Sequence, residues 1–252
     1  MNTWTREETI VAFYVYCKIP FKDSSKSNPV IMEYAQILNR TPSALNMKVG
    51  NIGRLDPDLR QKGITGLVHG AKMEEEVWKE FYNNPEHLAL ESEKIIAKLR
   101  GKTLEQVADF SIDDLPQGKE REIVIKQRIN QSFFRMAVLS SYNNRCCISG
   151  IGNKELLEAC HIVDWSIDTA NRTNPKNGLC MNPFFHKAYD KLLMAISPDL
   201  KIIISDELLQ NTEDSKFKNY LKSINGEKIA MPNKFFPERE FLQDHYEKFK
   251  NR

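Results

Sequence analysis

The sequence predicts an α+β chain in two parts: a helical N-terminal domain, and a C-terminal domain built on a strand–loop–strand–helix unit with flanking helices. Three observations carry this expectation. Through residues 1–110 apolar positions recur at helical spacing, and most of these runs open on a capping residue or on a cap followed by proline. Residues 111–118, S-I-D-D-L-P-Q-G, bring acidic residues, proline and glycine together as a linker does. Between residues 158 and 190 two short β-like runs precede an Asn182-Pro183 pair that opens a helix. The expected division is therefore 1–110 helical, 111–118 linker and 119–252 second domain, with the compact unit at 158–195.

Composition sets the frame. With 252 residues, 41% hydrophobic and 28% charged, the chain can bury one large core or two smaller ones. No apolar run reaches the roughly 18–20 residues that cross a bilayer, so no membrane partner is expected. The N-terminus lacks the basic-then-apolar layout of a signal peptide, and the cytoplasm is the expected compartment. Five cysteines, at 17, 146, 147, 160 and 180, make an odd set without a C-x-x-C pair. Neither a disulfide framework nor a structural zinc ribbon is expected.

The net charge of +2 conceals a pattern. Residues 1–62 hold nine Lys/Arg against six Asp/Glu, 63–118 hold six against eleven, and 119–252 hold 21 against 17. Two mildly basic segments thus flank an acidic one, so a polyanion would meet the outer two.

In the N-terminal part, Thr5 and Glu8 form a capping-box pair, and Ile10, Phe13, Tyr14 and Cys17 follow at i, i+3, i+4 and i+7 as one face of an amphipathic helix. Asn28-Pro29 opens a second helix with Ile31, Ala35 and Leu38 inward. Thr41-Pro42 opens a third with Leu45, Val49 and Ile52 inward. On that third helix Ser43, Asn46, Met47, Gly50 and Asn51 face outward, with Lys48 on the flank. Two helices joined by a tight turn, the second bearing small and amide side chains, fit a helix-turn-helix reader of DNA. Ser43, Asn46, Lys48 and Asn51 are its candidate contacts. The stretches W-T-R-E-E and R-T-P-S-A-L-N-M-K resemble Myb-like helical domains. The competing reading is a three-helix domain that packs on the rest of the chain and touches no DNA. Beyond it, Val77, Trp78, Phe81 and Tyr82 fit a packing face, Asn83-Asn84-Pro85 breaks the helix, and residues 88–99 form another. His69 and His87 lack metal-ligand companions and are given no role.

The second part opens on a long helix over 121–142, with Ile125, Ile129, Phe133, Met136 and Leu139 near helical spacing and Arg128, Gln131 and Arg135 on its surface. Residues 159–163 read as a strand, 164–176 as a polar loop, Asn177-Gly178 as a turn and 179–181 as a second strand. The helix after Asn182-Pro183 stacks His186 and Asp190 on one face, as two ligands of one ion must be. Further on, 200–204 reads as strand, 206–220 as helix, and a last helix starts near Pro237. On it, His245 is a surface or packing residue.

His161 on the first strand, Asn177 before the second and His186 on the helix together resemble the HNH (ββα-metal, His-Me finger) nucleases. The lead-in K-Q-R-I-N-Q-S-F-F-R and Y-N-N-R-C-C-I-S-G resembles a restriction-type bacterial subfamily, and the likeness extends over about residues 120–250. The resemblance implies a metal-dependent endonuclease that hydrolyses double-stranded DNA, with His161 as general base. Asn177 either offers its oxygen to the metal or ties the loop so that the imidazole is aimed. His186 and Asp190 are the implied ligands of a single Mg²⁺ or Mn²⁺ ion. Arg135 and Arg172 join the candidate DNA contacts, and one active site per chain implies a homodimer or two successive nicks. Two positions depart from the pattern. Cys160 stands where many family members place an Asp or His ligand, and it reads as a small buried strand residue. Asp164 stands where the subfamily usually has proline, and reads as a loop cap. The rival is a catalytically inactive DNA-binding regulator that keeps the fold.

Overall fold

The computed structural model describes residues 3–64, 70–107 and 119–252. The expected linker at 111–118 and His69 lie outside them.

The N-terminal core forms around α1, Arg6–Lys18, opened by the expected capping box: Glu8 N–H donates to Thr5 Oγ1 at 3.1 Å and Thr5 N–H to Glu8 Oε2 at 2.8 Å. The expectation of one buried face is corrected. Every residue from Thr9 to Cys17 is buried, because I-V-A-F-Y-V-Y-C is apolar all round and the helix runs through the middle of the core. Around it pack α3 (Pro42–Gly53), α5 (Lys72–Phe81), α6 (Pro85–Arg100) and α8 (Lys119–Ser141), with the short α4 (Pro57–Gln61) and α7 (Leu104–Val107) following α3 and α6 in the chain. Helix α2, Pro29–Ile37, lies against α3, and both carry the Asn28 and Thr41 side-chain caps with proline at their starts.

Helix α8 serves two cores. Ile125, Ile129, Phe133 and Ala137 join the N-terminal cluster, whereas Phe134, Val138 and Leu139 join the C-terminal one. A tail segment crosses as well: Phe235 is buried in the N-terminal cluster, and the buried Lys234 ammonium donates to the carbonyls of Tyr16, Cys17 and Ile19 at the end of α1.

The C-terminal core holds two antiparallel hairpins. Strand β1, Glu158–His161, pairs with β2, Gly178–Met181, in a register that sets Cys160 opposite Leu179 and His161 opposite Gly178. Gly178 allows this sheet to press on α8, since a Cβ there would come within 2.3 Å of Val138 Cγ2. Asn177 closes a 3-10 turn over Pro175–Asn177 and Gly178 is extended, so the pair does not form the two-residue hairpin turn its sequence suggests. Helix α9, Pro183–Asp190, follows with Asn182 as its cap. Next come β3, Met194–Ile196, and β4, Ile202–Ile204, then α10 (Asp206–Gln210), α11 (Ser215–Ile224) and α12 (Arg239–Lys250). The single helix expected over 206–220 is thus two, restarted by the Asp214 cap. Among the described residues no helix is long and apolar enough to cross a membrane.

Candidate active site

Strand pleat decides which side chains meet. Successive residues of β1 point to opposite sides, so Glu158 and Cys160 face α9 while Ala159 and His161 face the α8 side. His161 stacks on Phe134 of α8, ring centroids 3.7 Å apart and 9° from parallel, and meets Trp165 edge-to-face with centroids 5.5 Å apart. Its Nε2 lies 2.9 Å from the Arg172 carbonyl oxygen. A carbonyl can only accept, so Nε2 carries the proton and Nδ1 keeps a lone pair. Burial pulls the His161 pKa below the usual histidine value, with the Arg172 carbonyl and the Asp164 charge opposing. The ring is therefore neutral near pH 7, as a general base has to be.

Asn177 is fully buried, and its amide is spent on the loop. Oδ1 accepts from Val163 N–H at 2.8 Å, and Nδ2 donates to the carbonyls of Val163 at 3.0 Å and Asn171 at 3.4 Å. This corrects its expected share in the metal: the oxygen is engaged and enclosed, and the geometry provides the loop-tying role. Arg172 has a part in the loop that its sequence position does not announce. Its Nε donates to the Trp165 carbonyl at 2.6 Å and its guanidinium lies over the Trp165 ring, so the side chain braces the loop while its main chain holds His161. Asp164 caps its own turn, accepting from Ser166 N–H at 2.7 Å and Ser166 Oγ at 2.5 Å.

His186 sits between two carboxylates. Nδ1 is 2.6 Å from Glu158 Oε2, and Nε2 is 3.6 Å from Asp190 Oδ2. Glu158 accepts the Nδ1 proton, and the Nε2 edge of the ring faces Asp190. Cys160 lies beneath them, fully buried, with a thiol pKa raised well above the ordinary value by desolvation. Ligand atoms of Cys160, His186 and Asp190 all lie within 4.8 Å of one another. Nitrogen, oxygen and sulfur donors this close fit one divalent ion. Glu158 escaped the sequence reading. The signal was present, since strand alternation places it on the same side as Cys160.

His161 and His186 border two hollows. The larger, about 560 Å³, also takes in Asp164, Asp190, Lys187, Lys191 and Lys248. The smaller, about 220 Å³, is lined by Gln131 and the exposed Arg135 together with Glu158.

The N-terminal candidates lie apart from this centre, on α3. Ser43 is exposed and the half-buried Asn46 accepts from Ser24 Oγ at 2.7 Å. The expectation that Lys48 flanks an open face is corrected: it is buried and its ammonium lies 2.5 Å from Glu74 Oε1. Asn51 donates to the same oxygen at 3.1 Å. Helix α5 thus covers the C-terminal half of the face that was expected to read DNA.

A two-stranded antiparallel hairpin, a histidine at the end of its first strand and a second histidine on the following helix define the ββα-metal nuclease class. Residues 146–197 match the family model described as HNH endonuclease. No curated protein matches the chain.

Proposed function

We propose that the protein is a metal-dependent endonuclease of restriction or defence type that hydrolyses phosphodiesters of double-stranded DNA. The observation that carries the reading is the single tautomer imposed on His161. Its Nε2–H is fixed on the Arg172 carbonyl at 2.9 Å, so Nδ1 is free to take a proton from water. Phe134 holds the ring plane, and Asn177 holds the loop that supplies the carbonyl. Arg135 on one side and Lys187, Lys191 and Lys248 on the other suit the phosphates flanking the scissile bond. His186 and Asp190 would hold a divalent cation, with Mg²⁺ and Mn²⁺ the ions the family resemblance implies, and it would supply charge stabilisation at the phosphate oxygens. Ser43 and the first turn of α3 remain the N-terminal contact with DNA, since Lys48 and Asn51 are engaged with Glu74.

Supercoiled plasmid tests this directly. Divalent metal should convert it to nicked and then linear forms, EDTA should stop the reaction, and His161→Ala should slow it by about 10²-fold or more. Cleavage in EDTA, or an unimpaired His161→Ala variant, would refute the mechanism. Discrete fragments distinguish restriction-type cleavage from the smear of a nonspecific nuclease. Accumulation of nicked circles separates a monomer acting twice from a homodimer. One observation favours a second reading, a DNA-binding regulator without catalysis: a buried, protonated thiol at the position where the family often has an acidic ligand. Tight DNA binding with no cleavage in any metal would select it.

A further inference from the structure

The cation site has more in it than a histidine and an aspartate. Three donors converge from two elements that the fold fixes against each other: Cys160 from β1, His186 and Asp190 from adjacent turns of α9. The His186 Nε2 to Asp190 Oδ2 spacing of 3.6 Å is too long for a hydrogen bond, yet natural for two atoms sharing an ion. The carboxylate of Glu158 on Nδ1 completes a carboxylate–histidine–metal arrangement, which fixes the ring tautomer and makes Nε2 a better donor. The site is also graded in exposure. The Cys160 side chain is enclosed, His186 is one quarter exposed and Asp190 about half, so the sulfur forms a floor and the mouth opens to solvent. Three protein donors with an open side are the layout of a catalytic site rather than a closed structural one.

We infer that Cys160 is the third protein ligand, and that its thiolate selects a thiophilic first-row ion of the Zn²⁺ type over Mg²⁺. This rests on the metal-dependent reading above and replaces its choice of ion. The Cys160 S–H bond breaks as the sulfur–metal bond forms, and the proton passes to solvent. Magnesium demands oxygen donors in near-octahedral array, which one sulfur, one nitrogen and one carboxylate do not supply. Zinc, cobalt and their neighbours accept that mixed set. Glu158 acts through His186 as a positioning residue.

Cobalt(II) gives a readout that does not depend on cleavage. Full-length protein, kept reduced with a phosphine, is titrated with Co²⁺ and its absorption recorded. A thiolate-to-cobalt charge-transfer band in the near ultraviolet, saturating at one ion per chain, is the expected result. The band should vanish in Cys160→Ser, with Co²⁺ affinity falling more than about tenfold. Stoichiometric Zn²⁺ should bleach the band in the wild-type protein, whereas a large excess of Mg²⁺ should not. This last measurement needs no variant, so a poorly folded Cys160→Ser protein would leave the test intact. Co²⁺ binding without the band, a band that survives Cys160→Ser, or displacement by equimolar Mg²⁺ would each overturn the inference. The two readings fail separately. A Cys160-dependent band in a protein that cuts no DNA would remove the nuclease and keep the ligand. Efficient cleavage in Mg²⁺ with no cobalt band would do the reverse.

Discussion

Replacing Asn177 with aspartate separates the two roles that its position allows. If its oxygen served a cation, Asn177→Asp would add a charge to the ligand set and tighten metal binding. The structure assigns the amide to the loop instead, and the consequence can be worked out. Asn177 is 0% exposed, and its Nδ2 is the donor to the carbonyls of Val163 and Asn171 at 3.0 and 3.4 Å. An aspartate puts an acceptor there, so the buried Val163 carbonyl loses its donor, the Asn171 carbonyl keeps only the Asn174 N–H at 3.2 Å, and a carboxylate faces both. The orphaned Val163 acceptor costs about 1–3 kcal/mol, and an ionised carboxylate without a partner costs more. The expected loss is about 3–5 kcal/mol at pH 7, a large share of the 5–15 kcal/mol typical of a folded domain. Protonation restores one donor, so the deficit should shrink as pH falls toward the raised pKa expected of the buried acid. Because Val163 lies two residues from His161, and because the tied loop carries Arg172, activity should fall with stability. Urea unfolding of the two proteins gives the free-energy difference, and cobalt titration gives metal affinity. A variant within about 0.5 kcal/mol of wild type that binds metal more tightly would refute the loop-tying role.

Two further outcomes follow from buried groups outside the site. Lys234→Ala removes the ammonium that closes the end of α1, leaving the carbonyls of Tyr16, Cys17 and Ile19 without that donor. A loss of about 2–4 kcal/mol in denaturant melts is expected, and Lys234→Met should not restore it. His245 is buried on α12, stacked on Tyr189 with its Nε2 on the Tyr189 carbonyl and, among the described residues, no partner on Nδ1, and burial pulls its pKa down to about 4. Below the unfolded value of about 6.5 the unfolded chain binds the extra proton first. The neutral ring's contribution is therefore complete above that pH and is lost as pH falls toward 4, by up to about 3 kcal/mol. Stability measured from pH 7 to pH 4 should show this loss in the wild type and less of it in His245→Gln.

What was legible in the sequence was what local chemistry determines. Caps at Thr5, Asn28, Thr41 and Asn182 all form, because a cap needs only the next few residues. The stacking of His186 and Asp190 follows from helical spacing alone, and the two strands fall within a residue or two of their expected places. Misreadings arose where the deciding partner lies far along the chain. Lys48 looked open because nothing nearby announces that Glu74, on another helix, will bury it. The loop role of Arg172 was not legible because its partner is the carbonyl of Trp165, and a main-chain acceptor leaves no mark in a sequence. Asn177 showed the right residue and two open roles; only its burial and the Val163 bonds decide between them.

The same long-range contacts bear on how the two parts of the chain work together. Phe134, which sets the plane of the His161 ring, is one residue from Phe133, which is buried in the N-terminal cluster. Its helix cannot shift toward either core without moving the His161 ring. At the opposite end of the site, Glu238 accepts from the Lys176 ammonium at 3.0 Å and donates its N–H to the Lys176 carbonyl at 3.1 Å. Lys176 is the neighbour of Asn177. Four residues before Glu238, Lys234 is anchored under α1, while Lys62 donates to the carbonyl of Pro232 at 2.6 Å and to Asn233 Oδ1 at 3.0 Å. The tail therefore runs from the N-terminal core to the turn that carries Asn177, and α8 runs from the same core to the ring of His161. The His161 ring is held between two elements that both begin in the helical part. That part is accordingly a structural component of the candidate active site.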